Sequence, residues 1–378
     1  ARPLKKSWQI DLVLLAFMIP LLFTSVLNFG YYQHWFGDKS YNDIRGMSVF
    51  GSHIRYGLLI SMGAAIALYS IKRCPKLTIS FLLLLGWFGF YTFYSQVISG
   101  IITYSAVVAV YLLYLLWLRT KLLGTVFIFV CIGLISASAF WLLKPLSYDA
   151  AKYQDLPKLT AEGNEYEHNF GFISSENGEP VLIYLCEIEL EREWETRSDV
   201  GYLGTTINGN PISHTLIRYL SSKHLRRDAE GVKALSKEDI VNIELGCTSV
   251  NHSGLMARMH GVRFELNNAE DPNGHSLLQR LEYWKAGLSI ANKNWLIGVG
   301  SGDAQAAFDA YYTSSNSSLT FKNRRRAHNQ FLTFFLTFGI FGLMLFVLLI
   351  IAFVRNNLKS RQLLGLLFIT IATLSFLI

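Results

Sequence analysis

Residues 77–118 form an apolar run of 42 residues that contains no charged side chain. A helix needs about 20 apolar residues to cross the hydrocarbon core of a bilayer, so this run is long enough for two crossings. Its most polar positions, Ser95-Gln96 and Ser99-Gly100, lie near its middle and predict the turn between the two helices. Lipid offers no partner to an unpaired backbone group, and the run therefore restricts the chain to a helical membrane protein.

The composition of the whole chain agrees with this restriction. Only 16% of the 378 residues are charged, while 51% are hydrophobic and 14% are aromatic, which argues against a soluble enzyme with one large core. Residues 10–36 also contain a single charge, Asp11. We predict an all-α polytopic membrane protein, a multi-span helical bundle with one large, partly helical loop outside the membrane; the family resemblance described below implies that this loop is periplasmic. The predicted spans are 9–31, 48–71, 77–96, 98–118, 122–143, 330–354 and 362–378.

The basic residues of the short connections predict the orientation of the bundle. Lysine and arginine in short loops favour the cytoplasmic side of a membrane. If the spans alternate, the N-terminus and three short loops, all basic, fall on one side, which is predicted to be the cytoplasm. The opposite side then receives 32–47, the turn near 95–100 and the long segment 144–329. The basic residues are Arg2, Lys5, Lys6, Lys72, Arg73, Lys76, Arg119, Lys121, Arg355, Lys359 and Arg361.

The pattern of basic and apolar segments also predicts the nature of the two chain ends and the domain boundaries. No small-residue cleavage site follows the basic start, so we expect the first span to be a retained anchor. The sequence lacks an initial Met and stops inside an apolar run at Ile378, and we expect one or both ends to be cut. The predicted domains are 1–143 with spans one to five, the outer loop 144–329, and 330–378 with spans six and seven.

The long segment 144–329 is rich in charge, Gly, Asn and Ser and has no apolar run of span length. Weak alternation over 181–190 predicts a strand, whereas 214–227 and 276–292 have the apolar spacing of helices. Residues 235–245 are also predicted to be helical, with a start at Ser236-Lys-Glu-Asp239. Cys186 and Cys247 share this segment, where a disulfide and two unpaired thiols both remain open.

The strongest local motif is Arg324-Arg325-Arg326-Ala327-His328-Asn329-Gln330, directly before the sixth span. A histidine at a membrane boundary is close to neutral at ambient pH and can accept a proton, and neighbouring arginines favour its neutral form and attract anions. His and Arg at the edge of a span also serve simply to anchor a helix among lipid headgroups. The motif therefore supports either a catalytic base or a membrane anchor.

A second motif is Arg280-Leu-Glu-Tyr-Trp284-Lys285, followed by the glycines of Ile297-Gly298-Val299-Gly300-Ser301-Gly302. The planar guanidinium of Arg280 suits a phosphate or pyrophosphate. The glycines permit a tight turn, but they lack the Lys and Ser/Thr of a phosphate-binding loop. A turn after an amphipathic helix is the simpler interpretation of the glycines.

A third motif, Asn42-Asp43-Ile44-Arg45-Gly46, leads to His53 and Arg55 at the start of the second span. Ionisable residues just inside a span are costly and tend to be functional or paired. Arg45 paired with Asp43, and Arg55 reaching back to the headgroups, is the alternative. Metal chemistry is not expected, because the histidines are scattered and no Asp-x-Asp pair occurs.

Together these motifs resemble the O-antigen ligase family, whose architecture is shared with O-antigen polymerases and some protein-linking oligosaccharyltransferases. The resemblance covers about 42–142 and 276–354. It rests on the three motifs above, on the turn Tyr94-Ser-Gln-Val-Ile-Ser-Gly100 and on Phe338-Gly339-Ile-Phe-Gly342. The outer loop, with Tyr184-Leu-Cys-Glu187 and Leu216-Ile-Arg-Tyr-Leu220, looks like that of Bacteroidetes members.

The resemblance implies a GT-C-like fold in the bacterial inner membrane, with the active site facing the periplasm. It implies a metal-independent, inverting transfer of a glycan from undecaprenyl pyrophosphate to a hydroxyl of lipid A–core, without a cofactor. His328 would be the base and Arg280 a ligand of the pyrophosphate. The residues that would contact substrate are Arg45, Arg55, Gln96, Arg326, Asn329 and Gln330.

One departure from the family pattern concerns the fourth span. The family usually has a Ser-Arg pair at its outer end, whereas 77–118 contains no Arg, and Ile98 or Ala106 stands in that place. We expect either that another cation binds the phosphate in place of the missing arginine, or that the substitution weakens activity. An O-antigen or exopolysaccharide polymerase and a protein O-oligosaccharyltransferase remain alternatives. A transporter is disfavoured because the spans show neither clear midplane breaks nor repeated halves.

Overall fold

The computed structural model confirms the predicted fold class. The chain is an all-α polytopic membrane protein, 69% helical and with almost no sheet. It divides into two compact units, unit 1 with Ala1–Ala137 and Asp271–Ile378, and unit 2 with Ser138–Glu270. The three-domain division stays a prediction. The structure describes residues 7–36, 44–49, 51–144, 150–170, 175–207, 209–250, 254–268, 272–273 and 275–377.

The first five helices match the predicted spans closely. Each is apolar enough, over a sufficient length, to cross a membrane, when the short 3-10 turn Pro75–Leu77 is counted with the third helix. Hydropathy predicts them well because a span must be apolar over its whole length. They are α1 (Ser7–Tyr32), α2 (His53–Arg73), α3 (Thr78–Tyr94), α4 (Ile98–Arg119) and α5 (Lys121–Leu143).

Helix α2 lies at the centre of this bundle and packs on α1, α3 and α4. Small residues make this possible: a Cβ added to Gly57 would lie 3.0 Å from the Cα of Gly100, so α2 and α4 cross almost backbone to backbone. At the opposite end of α2, Arg73 Nε donates to Asp11 Oδ1 at 2.5 Å. The single charge of the first span is thus paired with the basic end of the second.

Unit 2 contains short helices around a core that includes Trp194, Leu216 and Leu220. The capping box of Ser236 and Asp239 confirms the predicted start of the helix over 235–245. Cys186 and Cys247 are free thiols. The helices are α6 (Glu187–Glu195), α7 (Ile212–Ser222), α8 (Ala229–Lys233), α9 (Lys237–Glu244) and α10 (Gly254–Asn268), and one hairpin pairs β1 (Ser175–Glu176) with β2 (Glu179–Pro180).

The strand predicted over 181–190 is wrong. Its second half belongs to α6, and Leu190 and Trp194 are both fully buried on one face of that helix. Positions four apart share a face of a helix, so this pair explains the burial better than alternation does. The helix predicted over 214–227 is α7, which ends earlier, at Ser222.

The last part of unit 1 contains the second sequence motif and the sixth predicted span. The helix predicted over 276–292 is confirmed as α11. The predicted seventh span forms only a 13-residue helix, about 20 Å long and shorter than the hydrocarbon core. The helices are α11 (Ser276–Lys293), α12 (Ala304–Ser314), α13 (Gln330–Lys359) and α14 (Leu363–Ser375).

Helix α13 is not the straight span that its hydropathy predicts. Its backbone leaves the helical region at Gly339, with φ 65° and ψ −163°. The ring of Phe334 stacks on that of Phe346 at 4.2 Å, although twelve residues of straight helix would separate their backbones by about 18 Å. The helix therefore bends sharply, and a short first half, 330–338, packs back on the longer half, 340–359.

Helix α14 connects the start of α13 to the bundle. It packs on α2 and α4, and Leu364 near its start shares a packing cluster with Cys74, the residue directly after α2. Its direction is thus opposite to that of α2, so its last residues lie toward the end of the bundle where α2 begins. We call this the His53 end. There the backbone oxygen of Phe376 accepts a hydrogen bond from the Gln330 amide, at 2.7 Å.

Candidate functional site

The segment 323–328 is held by hydrogen bonds from three buried or half-buried aromatic side chains. Tyr283 Oη donates to the carbonyl oxygen of Asn323 at 2.6 Å, and Tyr312 Oη donates to that of Arg325 at 2.7 Å. Trp284 Nε1 donates to the carbonyl oxygen of Ala327 at 2.9 Å. Alternate carbonyls are thereby fixed by α11 and α12, and the position of the arginine motif is determined by these helices.

His328 ends this segment in an unusual conformation. Its φ is 48°, in the left-handed region that few residues other than glycine adopt, and such positions are enriched at functional sites. Its ring centroid lies 5.9 Å from that of Tyr283. Partial loss of water around the ring, then the positive charges of Arg280 and Arg325, lower the pKa of His328 below its usual 6.5. The imidazole is therefore neutral at ambient pH and can accept a proton.

Two cations that have no partner in the described part of the chain stand beside His328. Arg280, on the first turns of α11, is half-buried, and this burial lowers its pKa. Arg325 is exposed. Among the described residues, neither guanidinium makes a hydrogen bond or an ion pair. Fixed positive charge of this kind is suited to an anionic ligand.

The other two arginines of the motif donate hydrogen bonds to the protein. Arg326 Nε donates to Gln305 Oε1 at 2.9 Å, and Arg324 Nε donates to the carbonyl oxygen of Leu319 at 3.2 Å. Arg326 was predicted to bind substrate, and its remaining donors stay free to do so because its side chain is exposed. The role is still a prediction.

Asn329 and Gln330 begin the helix that follows. The side chain of Asn329 caps α13 by accepting from the Leu332 amide at 3.1 Å, and Gln330 is the exposed first helical residue. Both were predicted to contact substrate. The structure gives Asn329 a structural task and places both residues within two positions of His328.

The glycine motif proves to be a packing element and not a phosphate loop. The Val299 amide donates to the Leu336 carbonyl at 2.8 Å, and the Ile340 amide donates to that of Trp295 at 2.8 Å. A Cβ on Gly298 would collide with the backbone of Thr337, and a Cβ on Gly339 would collide with that of Leu296. The turn after α11 and the bend of α13 therefore fit together backbone to backbone, which requires both glycines.

Arg55 and Gln96 belong to the His53 end of the bundle. Arg55 is exposed on the first turn of α2, and Gln96 lies in the turn between α3 and α4 with a left-handed φ of 54°. Gly57 packs on Gly100 and on Val97 Cγ1, which brings the two regions together. No contact joins Arg55 or Gln96 to His328 in the described part of the chain.

Arg45 is placed only in part. Its backbone belongs to the 3-10 turn Ile44–Met47, but its side chain, like Asn42 and Asp43, lies outside the described residues. Ile98 is the first residue of α4, at the His53 end, and Ala106 lies eight residues further along, about 12 Å deeper. Of the two, Ile98 lies closer to Gln96, and a phosphate contact at this end stays a prediction.

Sequence reasoning missed the residues that hold the site in place. Tyr312, buried on α12, fixes Arg325, and Tyr283 fixes Asn323 while lining His328. Their partners are backbone carbonyls, which no sequence pattern marks. The only available signal was the spacing of aromatic residues on the buried faces of α11 and α12.

Comparison with known families finds a match to one part of the chain. Residues 245–347 match the family model described as O-antigen ligase, and this match contains α11, α12, the segment 323–328 and the first half of α13. No curated protein and no solved structure matches the chain. The match supports the resemblance to the O-antigen ligase family, a glycosyl-transfer function of the ligase or polymerase type, and a multi-pass membrane protein.

Proposed function

We propose that this chain transfers a glycan from undecaprenyl pyrophosphate to a hydroxyl group of lipid A–core in the bacterial inner membrane, with its site facing the periplasm. The observation that carries the proposal is the placement of a neutral His328 beside two unpartnered cations, Arg280 and Arg325. This group lies inside the segment that matches the O-antigen ligase model. The basic loops of the sequence support the orientation.

His328 acts as the general base. It takes the proton of the acceptor hydroxyl while that oxygen attacks C1 of the donor sugar on the face opposite the pyrophosphate. The new C1–O bond forms as the old one breaks, and the electron pair of the broken bond goes to the pyrophosphate. The anomeric centre is inverted, and undecaprenyl pyrophosphate leaves.

Arg280 and Arg325 stabilise the leaving group. Negative charge develops on the pyrophosphate as the C1–O bond breaks, and fixed cations lower the energy of that transition state. The bound pyrophosphate also offsets the two positive charges that lower the pKa of His328. Donor binding therefore makes the imidazole a stronger base at the moment when it must accept a proton.

The deciding experiment is the surface glycan profile of cells that lack the gene and carry wild type, His328→Ala or His214→Ala. His214 is an exposed histidine of unit 2 and controls for the loss of an imidazole. We expect His328→Ala to abolish long glycan on lipid A–core and to let lipid-linked polymer accumulate, since removal of a general base costs about 10²–10⁴-fold. Wild-type transfer by His328→Ala at equal protein level would refute the assignment of the base.

The same profile separates the ligase from the polymerase. Single repeats on lipid A–core, without longer chains, would identify the missing reaction as polymerisation. If the surface glycan is the same in cells that lack the gene and in cells that carry wild type or either variant, lipid A–core is excluded as the acceptor.

A further inference from the structure

Asn28 is a fully buried polar residue near the end of α1. It lies four residues before Tyr32, the last residue of that helix, and none of its surface is exposed. A polar side chain buried in a membrane span is costly unless its hydrogen bonds are made. A leucine of similar shape would fit the apolar helix without that cost. The hydrogen bonds of Asn28 therefore indicate what the residue does.

The side-chain amide of Asn28 joins three segments of unit 1. Its Nδ2 donates to Tyr91 Oη at 3.1 Å, which connects α1 to α3. Its Oδ1 accepts from the Val49 amide at 3.2 Å, which connects α1 to the chain directly after the 3-10 turn Ile44–Met47. The side chains of Ser48 and Tyr91 are also hydrogen-bonded to each other. The chain that follows the turn is thus attached to two spans at once.

The turn is also fixed by packing. Met47, its last residue, has no exposed surface and belongs to a core cluster with residues of α1, α2 and α3, among them Ile60 and Tyr91. Met47 lies two positions after Arg45, which was predicted to contact substrate. Hydrogen bonds and packing together fix the backbone on the side of the turn that follows Arg45.

We propose that Asn28 is a positioning residue for the donor: it fixes the turn that carries Arg45, and the fixed turn lets Arg45 bind the pyrophosphate. The inference rests on the proposed function and on the predicted role of Arg45. The turn packs on α1 and α2 and precedes His53, so it lies at the His53 end. No arginine occurs in 77–118, and a cation held there by the bundle would supply the positive charge that the turn between α3 and α4 lacks.

The test is a double-mutant cycle on the full chain in nanodiscs, with Asn28→Leu, Arg45→Gln and both together. We expect each single variant to lower kcat/KM for the undecaprenyl pyrophosphate donor about tenfold, because a hydrogen bond of a charged group is lost or misplaced. The double variant should be no slower than Arg45→Gln, since Asn28 acts only through Arg45. KM for the acceptor should change by less than about twofold.

Ser25→Ala is the matched control. It removes the bond that Trp87 Nε1 donates from α3 to the fully buried Ser25 of α1, at 2.8 Å, and none of the described hydrogen bonds of Ser25 reaches the turn. We expect Ser25→Ala to leave kcat/KM for the donor unchanged. The same cycle with Asn28→Ala decides the question if Asn28→Leu does not yield folded protein.

Additive losses of the two single variants would make Asn28 a structural residue and overturn the inference, as would an unchanged kcat/KM of Asn28→Leu. Both results leave the proposed function standing, because wild type still transfers the glycan. If wild type transfers none, the proposed function fails, and hydrogen–deuterium exchange of residues 44–49 then tests the attachment of the turn. Faster exchange in Asn28→Leu than in Ser25→Ala would support the attachment, and equal exchange would overturn it.

Discussion

Two polar clusters of this chain differ in whether their charged side chains are hydrogen-bonded to the protein. In unit 2, burial favours the neutral form of Asp239, but hydrogen bonds from Lys223, Tyr219 and Ser236 prevail and lower its pKa to about 2. In the candidate site, Arg280 and Arg325 have no hydrogen bond or ion pair to another described residue.

This difference in hydrogen bonding distinguishes charges that stabilise the fold from charges that are suited to a ligand. A buried charge that is fully hydrogen-bonded stabilises the fold that surrounds it. A half-buried cation that has no partner among the described residues, such as Arg280, loses hydration without a compensating hydrogen bond. We therefore expect a ligand of opposite charge to pair with it. The contrast predicts that substitutions in the site reduce transfer, whereas substitutions in the Asp239 cluster reduce stability.

The largest effect is expected from Arg280→Gln. Loss of one preorganised donor to a developing charge costs about 10²–10³-fold in rate, so kcat should fall by that order. The free energy of unfolding should not fall, because Arg280 has no hydrogen bond or ion pair to lose among the residues that the structure describes. Initial rates with the undecaprenyl pyrophosphate donor and protease resistance of the full chain measure the two quantities.

Lys322→Gln removes the same charge from an exposed residue outside the cation pair and is the matched control. A fully active Arg280→Lys would show that a point charge suffices and that paired hydrogen bonds to the pyrophosphate are not made.

Tyr312→Phe should have the next largest effect. The change removes the hydroxyl that holds the carbonyl of Arg325 and leaves that carbonyl unpaired beside a buried ring. A lost buried hydrogen bond costs about 1–3 kcal/mol, enough to loosen the segment and lower kcat roughly tenfold. Tyr311→Phe, on the same helix, controls for the loss of a hydroxyl. Unchanged kinetics of Tyr312→Phe would mean that Arg325 needs no fixed position.

A smaller change is expected in the pH profile of Arg325→Gln. The positive charge of Arg325 lowers the pKa of His328, so its removal raises that pKa. Only the neutral imidazole accepts a proton, and the acidic limb of kcat/KM should therefore move to higher pH. Rates measured from about pH 5 to pH 8 would reveal the shift. An acidic limb that stays in place would exclude His328 as the titrating base.

Asp239→Asn should change transfer least. The folded pKa of Asp239, about 2, is below the value of about 3.9 in an unfolded chain, so its stabilising contribution is present above about pH 4 and is lost as pH falls through 2. We expect a loss of about 1–2 kcal/mol at pH 7, after allowance for screening at the partly exposed Lys223.

Proteolysis of the full chain by a protease active at both pH 7 and pH 3 measures this loss, with Asp199→Asn, at an exposed position, as control. Equal stability of Asp239→Asn and wild type at pH 7 would remove the basis of the comparison between the two clusters.

Much of the fold could be predicted because its determinants are local. Apolar length marks α1 to α5, the box at Ser236 marks the start of α9, and apolar spacing marks α11. The bend of α13 could not be predicted in this way, because residues on both sides of Gly339 are equally apolar. Its cause is a distant contact, the carbonyl of Trp295 that accepts from the Ile340 amide.

The candidate site was predictable in its chemistry but not in its construction. His328 and Arg280 are predicted as base and anion ligand because their side chains suit these roles, and both roles stay predictions. Whether an arginine of this motif is hydrogen-bonded depends on acceptors from other segments. Gln305 accepts from Arg326, for example, whereas Arg325 has no side-chain partner among the described residues. Three adjacent arginines look alike in a sequence and differ only when the fold supplies partners to some of them.

The bend at Gly339 also affects how the protein can adapt to its bilayer. A membrane helix meets a thicker or thinner hydrocarbon core by changing its tilt, and a straight α13 would carry that tilt directly into His328. Here the long half, 340–359, has about 30 Å of its own length and begins after the break. The short half is fixed to α11 and to the end of α14. We therefore expect hydrophobic mismatch to change the tilt of 340–359 more than it changes the position of His328.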